Sequence, residues 1–298
     1  MNDFNDSEYT PRILNILKSA FYNNNPTETR LTEIRKYTEI HLRRILNLGS
    51  DSKFMLGDLK FIRNKSLENL GEIRKNELIE IVDIIRKLGN DGTHTQYTKE
   101  FTDSDYEKAI DALFDLIAFQ FVSYFKKYPM RLTSPNDVMF DFSLLPPIIR
   151  FKTLNSLLKN DPDNIQILNR ITLARIKTFG KTVTYDWLKK NESNFRSIQY
   201  PTEGEINEYI GKCGVQISPG IFVFSIKLNC FDNVYDLLKN KIDDSNTSVN
   251  ENGKLYSSFE SAIIYYHKKK HPDSNFEIKE LHSIMDFVYI GRKSQIKI

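Results

Sequence analysis

Cysteine is scarce. Only Cys213 and Cys230 occur among 298 residues, and their spacing is not that of a metal site. Such usage gives no disulfide framework and suits a reducing cytosol. A surplus of one charge is missing too: 42 Lys and Arg stand against 39 Asp and Glu, a formal net charge of +3. That balance gives no chain-wide basic field for nucleic acid, yet it leaves room for a local basic patch. Long apolar runs are also lacking. The most apolar window, "DALFDLIAFQFVSYF" at 111–125, carries Asp111, Asp115 and Gln120, so it reads as a core helix and not a membrane span. The opening "MNDFNDSEYT" is polar and acidic and does not read as a secretory leader. No carboxylate pair, Ser-His-Asp set or Cys-His set stands out. His267 and His271 are four apart but lack the acidic helix context and further ligands of a zinc site. Neither a metal nor a cofactor is expected.

What is present is helical periodicity. From 25 to 49, Asn25 reads as a cap and Pro26 as the first turn. Leu31, Ile34, Thr38, Leu42 and Ile45 then share one face, and Gly49 is the expected stop. "FMLGDLKFIRN" (54–64) is a shorter helical piece. "NELIEIVDIIRKLG" sets Leu78, Ile81, Val82, Ile85 and Leu88 on one stripe. Before the next helix, Ser104 and Glu107 have capping-box spacing. That helix carries Tyr106, Ile110, Leu113, Phe114, Ile117, Phe121, Tyr124 and Phe125 on its stripe, and Pro129 closes it.

The pattern predicts a mainly α protein in four stretches. Residues 1–130 form a helical bundle. Residues 131–147, with three prolines in "LTSPNDVMFDFSLLPP" (132–147), are a linker. Residues 148–200 give three more helices, one of them stopping at Gly180. Residues 201–298 form a smaller α+β region. There "IFVFSIKL" (221–228) alternates as a strand does, and "MDFVYIGRKSQIKI" (285–298) is expected to close a small sheet.

The first region resembles a known group. "RLTEIRKYTEIHLRRIL", "LGDLKFIRN", "IIRKLGNDGTH" and the helix after "FTDSDYEKAIDALFDLI" follow one another as in the DUF4145 family of the HEPN superfamily. The resemblance covers about residues 25–128, and its most specific element is "RKLGNDGTH". It implies a helical domain found in bacterial defence and restriction-associated proteins. Active HEPN ribonucleases carry a short motif, often Arg-Asn-x-x-x-His, at a dimer interface and need no metal. The histidine would move a proton of the 2′-hydroxyl or leaving group, the arginine would stabilise phosphate charge, and the asparagine would orient either. Asn90 and His94 match the last two. The arginine position is Gly89, and the nearest arginine along the helix is Arg86, one turn earlier. On a continuous helix Arg86, Asn90 and His94 form one slanted stripe.

The candidate catalytic set is therefore His94, Asn90 and Arg86. Lys87, beside Arg86, joins Lys268, Lys269 and Lys270 as candidate nucleic-acid contacts. The latter three lie in "YYHKKKHPD" (265–273), where Tyr265 and Tyr266 could stack a base. A plainer reading is that these cations meet the dipole at a helix C-terminus. Arg35 and His41 have a loosely similar spacing, but six residues turn a helix through about 600°, so the two point apart. His41 is expected at a helix-face edge. Arg63-Asn64 has Glu68 where a histidine is needed. "GKT" at 180–182 resembles a phosphate loop, but Arg175 stands at its first glycine. The expected function is action on RNA, or RNA binding, in a bacterial defence or stress system. The expected form is a cytoplasmic homodimer through the N-terminal domain, without membrane association. The alternative is a non-catalytic helical adaptor that docks a protein partner.

Overall fold

The computed structural model describes residues 4–64, 72–91, 100–223, 231–244 and 251–294. It is mostly helical with one small antiparallel sheet. Two compact units emerge: Met1–Phe121 with His282–Lys293, and Val122–Leu281 with Ser294–Ile298. Among the described residues no helix is long and apolar enough to cross a membrane.

The first unit begins with α1 (Asp6–Leu17), which a π-helical turn, Lys18–Tyr22, extends. Then come α2 (Thr27–Ile45), α3 (Leu59–Asn64) and α4 (Glu72–Asp91). The early turns of α5 (Asp103–Lys127) and the late turns of α14 (Phe276–Tyr289) complete it. The core joins Leu42 and Leu46 to Phe54, Leu56, Ile62, Leu78, Val82, Leu116 and Phe119. The expected stripe of α4 thus faces inward at Leu78, Val82 and Ile85, while Ile81 and Leu88 are half-buried.

Helix ends differ from expectation. Asn25 does not cap α2; its amide donates to Ser19 O and Oγ, and Pro26 holds the N-cap place. The helix ends at Ile45, before Gly49, because Asn47 turns into the left-handed region at φ 52°, which asparagine tolerates better than most residues. Arg43 fixes the following loop by donating to the carbonyls of Gly49, Ser52 and Phe54. The capping pair of α5 is Thr102 and Asp105, not Ser104 and Glu107: Thr102 N–H donates to Asp105 Oδ2, and Asp105 N–H donates to Thr102 Oγ1. Ser104 already lies inside the helix.

His41 is fully buried, not at an edge. Its environment fixes its proton. Arg44 can only donate, and its Nη1 gives a hydrogen bond to Gln120 Oε1 at 3.0 Å. The Gln120 amide nitrogen therefore faces His41 Nδ1 at 3.0 Å and donates to it. Nδ1 is the acceptor, and the neutral ring carries its proton on Nε2. Tyr37 and Phe287 pack edge-on against the imidazole at 4.4 and 4.9 Å. Burial, then the charges of Arg44 and Arg292, push the His41 pKa well below its usual value.

The second unit holds the rest of α5, then α6 (Asn136–Phe142), α7 (Pro147–Asn160), α8 (Ile165–Lys190) and α9 (Glu192–Ser197). α10 (Glu203–Cys213), α11 (Val234–Asp243), α12 (Glu251–Leu255) and α13 (Phe259–Lys269) follow. α6 lies within the proline-rich stretch 132–147 and buries Val138, Asp141 and Phe142. α7 and α11 both pack on α8. Ile165, Leu168, Ile176, Leu188, Val234 and Leu238 belong to their shared core. Gly180, at φ 86° and ψ 170°, breaks α8 where the sequence places a stop, a conformation that lacks a steric penalty only for glycine.

The sheet is a hairpin of β1 (Val215–Ser218) and β2 (Ile221–Val223), paired Val215 to Val223 and Gln216 to Phe222 around Pro219 and Gly220. Of the expected strand 221–228, residues 224–228 lie outside the described residues. The strand expected from 285 is a correction at its start: Met285–Tyr289 is the end of α14, where Ile278, Leu281, Met285 and Val288 recur at helical spacing and are buried, while residues 295–298 lie outside the described residues. A short apolar run such as "FVYI" does not by itself distinguish strand from buried helix.

Candidate functional site

The Arg86–His94 stretch begins in the last turns of α4. Asp83 gathers both nearby cations. Arg86 donates to Asp83 Oδ1 through Nε at 2.9 Å and Nη2 at 2.6 Å. Lys87 Nζ reaches Asp83 Oδ2 at 2.7 Å. The hydrogen bond from Lys87, together with the neighbouring charge of Arg86, holds the Asp83 carboxyl below its ordinary pKa. These pairs follow helical spacing, i to i+3 and i+4. Asn90 occupies the end of α4, but its side chain is outside the described set, and His94 lies outside the described residues.

Gly89 gives the stretch an unexpected neighbour. A Cβ at Gly89 would lie 2.7 Å from both Cβ and Cδ of Arg35. Glycine is required there because the Arg35 side chain, carried by α2, lies directly across α4. The Arg35 Nε is buried and meets no hydrogen-bond acceptor. Arg35 is thus brought beside the position that carries the arginine in the HEPN motif. In the sequence Arg35 stands only in a loose spacing with His41, six residues on along α2, which points the two apart. The available signal was Gly89 itself. Glycine inside a helix costs about 1 kcal/mol relative to alanine, so its presence there marks a close approach by another element.

The second candidate region surrounds the end of α13. Lys268 and Lys269 are exposed, and Lys270 is the C-cap. Lys270 Nζ sits 5.1 Å from the centre of the Tyr266 ring and Lys269 Nζ 5.7 Å from that of Tyr265. Tyr266 is completely buried, so it cannot stack a base, which corrects that expectation. Its ring serves the core, and Tyr265 packs edge-on against Tyr256.

Just beyond, His271 and Asp141 form a coupled pair that the sequence did not reveal. The His271 backbone N–H donates to Asp141 Oδ2 at 2.9 Å, and ring Nδ1 lies 2.8 Å from Asp141 Oδ1. Asp141 has no exposed surface, while His271 is half-exposed. An ionised carboxylate only accepts, so Nδ1 carries the proton and Nε2 is left as a base when the ring is neutral. Phe140 packs edge-on against the ring at 5.2 Å. Asn136, Asp137, Phe140, Lys269 and His271 line a shallow groove of about 410 Å³. The pair is an oriented acid–base group next to a cation. A sequence separation of 130 residues explains why no local pattern discloses it. Among the described residues no three His, Cys, Asp or Glu side chains gather as metal ligands would. Comparison with protein-family models, with curated proteins and with solved structures finds no match for this chain.

Proposed function

We propose that the protein is a HEPN-like, RNA-directed protein of a bacterial defence or stress system, with its site at the C-terminal end of α4. The observation that carries the reading is Arg35 lying across Gly89. The motif needs a cation next to its asparagine, and the position preceding Asn90 is glycine. Arg35 supplies that cation from α2. A guanidinium stays charged at any physiological pH and matches a phosphate with two parallel donors. In this reading Arg35 holds the phosphate, Asn90 orients it, and His94 exchanges protons near neutral pH. Lys87 and Arg86 border the same turn. The site works at the seam of a homodimer, as related domains place it.

The test is incubation of the full chain with total RNA in the presence of a chelator. Cleavage should fall about 10²–10⁴-fold in His94→Ala, the usual loss for a general acid or base. It should fall strongly in Arg35→Ala and less in Asn90→Ala. Unchanged activity in both His94→Ala and Arg35→Ala removes the reading from this stretch.

One observation favours the second reading, a non-catalytic helical adaptor. Asp83 occupies both Arg86 and Lys87, so these cations are satisfied within α4. An adaptor of this kind leaves RNA intact, does not retain it, and dimerises or docks through the helical unit.

A further inference from the structure

The tie between Asp141 and His271 uses only part of what the imidazole offers. The His271 backbone N–H and ring Nδ1 hold both oxygens of the Asp141 carboxylate. This pins the loop after α13 to α6, a task that asks only for a donor at the Nδ1 position. Ring Nε2 is open to solvent and makes no hydrogen bond among the described residues. Because Nδ1 holds the proton, Nε2 offers a lone pair and accepts from a hydroxyl or an N–H. The His271 side chain is 42 % exposed, while its anchor Asp141 has no exposed surface. The free nitrogen is thus aimed by a buried group, as a preorganised binding atom is.

The groove beside it supplies four other groups, all in the second unit. Asn136, Asp137 and Phe140 come from α6, and Lys269 from the end of α13. Asp137 takes the Val138 N–H on Oδ1 at 2.8 Å, and its other oxygen makes no hydrogen bond among the described residues. Phe140 is 43 % exposed, with its ring perpendicular to the imidazole at 5.2 Å. Lys269 is exposed. The volume, about 410 Å³, is within the range of small-molecule sites. Each group selects its partner. The Nε2 lone pair and the Asp137 carboxylate take donors, the ammonium takes an anion, and the Phe140 ring takes a flat ring. A divalent metal is served less well, because His271 and Asp137 are only two ligands and Lys269 adds a like charge.

We propose that this groove binds a ribonucleotide, whose hydroxyls donate to His271 Nε2 and Asp137, whose base lies on Phe140 and whose phosphate meets Lys269. Such a ligand carries donors, an anion and a planar ring together. A carboxylate suits vicinal ribose hydroxyls, and an aromatic ring stacks any base. Lysine serves the phosphate as a mobile point charge. The Asn136 amide can both donate to and accept from a base edge. Asp141 is a positioning residue, acting through the imidazole it holds. The nucleotide is either free or the 3′ end of an RNA strand, where both ribose hydroxyls are present. The proposal concerns the second unit alone and does not rest on the RNA reading of α4.

The experiment uses the full chain and calorimetry. Three probes are titrated: adenosine 5′-monophosphate (AMP), adenosine, which lacks the phosphate, and 2′,3′-dideoxyadenosine 5′-monophosphate, which lacks both hydroxyls. AMP should saturate below about 5 mM, a weak affinity in keeping with a shallow groove. The dideoxy probe should bind at least about tenfold more weakly, and adenosine about fivefold. His271→Asn keeps a donor for Asp141 Oδ1 and removes Nε2. It should melt near the parent and bind AMP about fivefold more weakly, yet bind the dideoxy probe as the parent does. Lys269→Gln should weaken AMP and leave adenosine unchanged. Lys268→Gln, an exposed neighbour outside the groove, should bind as the parent does. An RNA 12-mer with a free 3′ end is then compared with its 3′-phosphorylated form. Weaker binding of the phosphorylated strand, absent in His271→Asn, assigns the source to a strand end, and equal binding assigns it to the free nucleotide. No saturable binding of AMP overturns the proposal. So does equal AMP binding by the parent and His271→Asn, or equal binding of AMP and the dideoxy probe by the parent.

Discussion

Cations are treated differently in the two units. In the first, Arg44 is closed on several sides: Gln120 Oε1, the Ser283 carbonyl and hydroxyl, and Asp6 at 3.6 Å. Arg43 is satisfied by three loop carbonyls. Arg86 and Lys87 share Asp83. Arg43 and Arg44 build structure, because each ties α2 to another segment, while Arg86 and Lys87 are satisfied within α4. In the second unit, Lys177 and Lys241 are half-buried, and burial, with a neighbouring arginine in second place, lowers the pKa of each. The contrast separates two uses of a basic residue. A cation closed by acceptors is expensive to remove, whereas one held half-buried near a like charge costs less to remove.

Arg44→Ala should show the closed case most strongly. It removes three hydrogen bonds and leaves Gln120 Oε1 without its donor inside the core. At roughly 1 kcal/mol for each bond plus about 1 kcal/mol for the unmet acceptor, the loss is about 4 kcal/mol. Urea melts of the parent and variant measure it. A loss below about 1 kcal/mol would show that the network adds little, and the comparison between units would fail.

The same network gives the first unit a pH dependence. His41 is neutral in the folded state and its pKa is depressed, whereas in the unfolded chain it titrates near 6.5. Below about pH 6.5 the unfolded chain binds the extra proton first, so stability is lost as pH falls, until the folded form protonates too. The slope is at most about 1.4 kcal/mol per pH unit. Asp6, whose pKa is raised chiefly by burial, acts in the opposite sense: the stability it contributes is lost as pH rises above the ordinary carboxylate value. Melting temperature should therefore fall between pH 6.5 and 5, and His41→Gln should flatten that fall. A slope unchanged in the variant would assign the effect to another group.

Gly89→Ala probes the approach of α2 to α4. A Cβ meets Arg35 carbons at 2.7 Å, so the side chain must move, at about 1–3 kcal/mol. Better helix propensity returns up to about 1 kcal/mol. The net expectation is a loss of about 1 kcal/mol in the parent and a gain in an Arg35→Ala background. A double-mutant cycle by denaturant melts reads the difference, and additivity would mean that the two residues do not touch.

How much of this was legible from the sequence depends on range. The stripes of α2, α4 and α5 could be read because periodicity is local, and so could the break at Gly180. Helix ends were misplaced where the capping side chain had another partner, as Asn25 does with Ser19. The run at 285–289 was ambiguous because apolar residues serve a buried helix or strand equally. Hidden entirely were the meetings of distant residues: Arg35 with Gly89, Asp141 with His271, and His282–Lys293 with the first unit. No local pattern encodes which segment will arrive opposite.

The smallest stability effect belongs to Asp83→Asn, which nevertheless sharpens the comparison most. Asp83 is about one-quarter exposed and its partners are neighbours on the same helix. Pairs of this kind contribute about 0.3–0.5 kcal/mol each, so the melt should shift by less than about 1 kcal/mol. The substitution converts closed cations into open ones, because an amide holds Arg86 and Lys87 less firmly than a carboxylate and removes one negative charge. If these cations belong to an RNA-binding surface, affinity for a single-stranded RNA should rise several-fold at low salt. Its dependence on salt should steepen as well, since each added phosphate contact releases counterions. If they serve only the helix, RNA binding stays where it was while the small loss of stability remains. Filter binding at two salt concentrations, on the parent and Asp83→Asn proteins, decides between these outcomes.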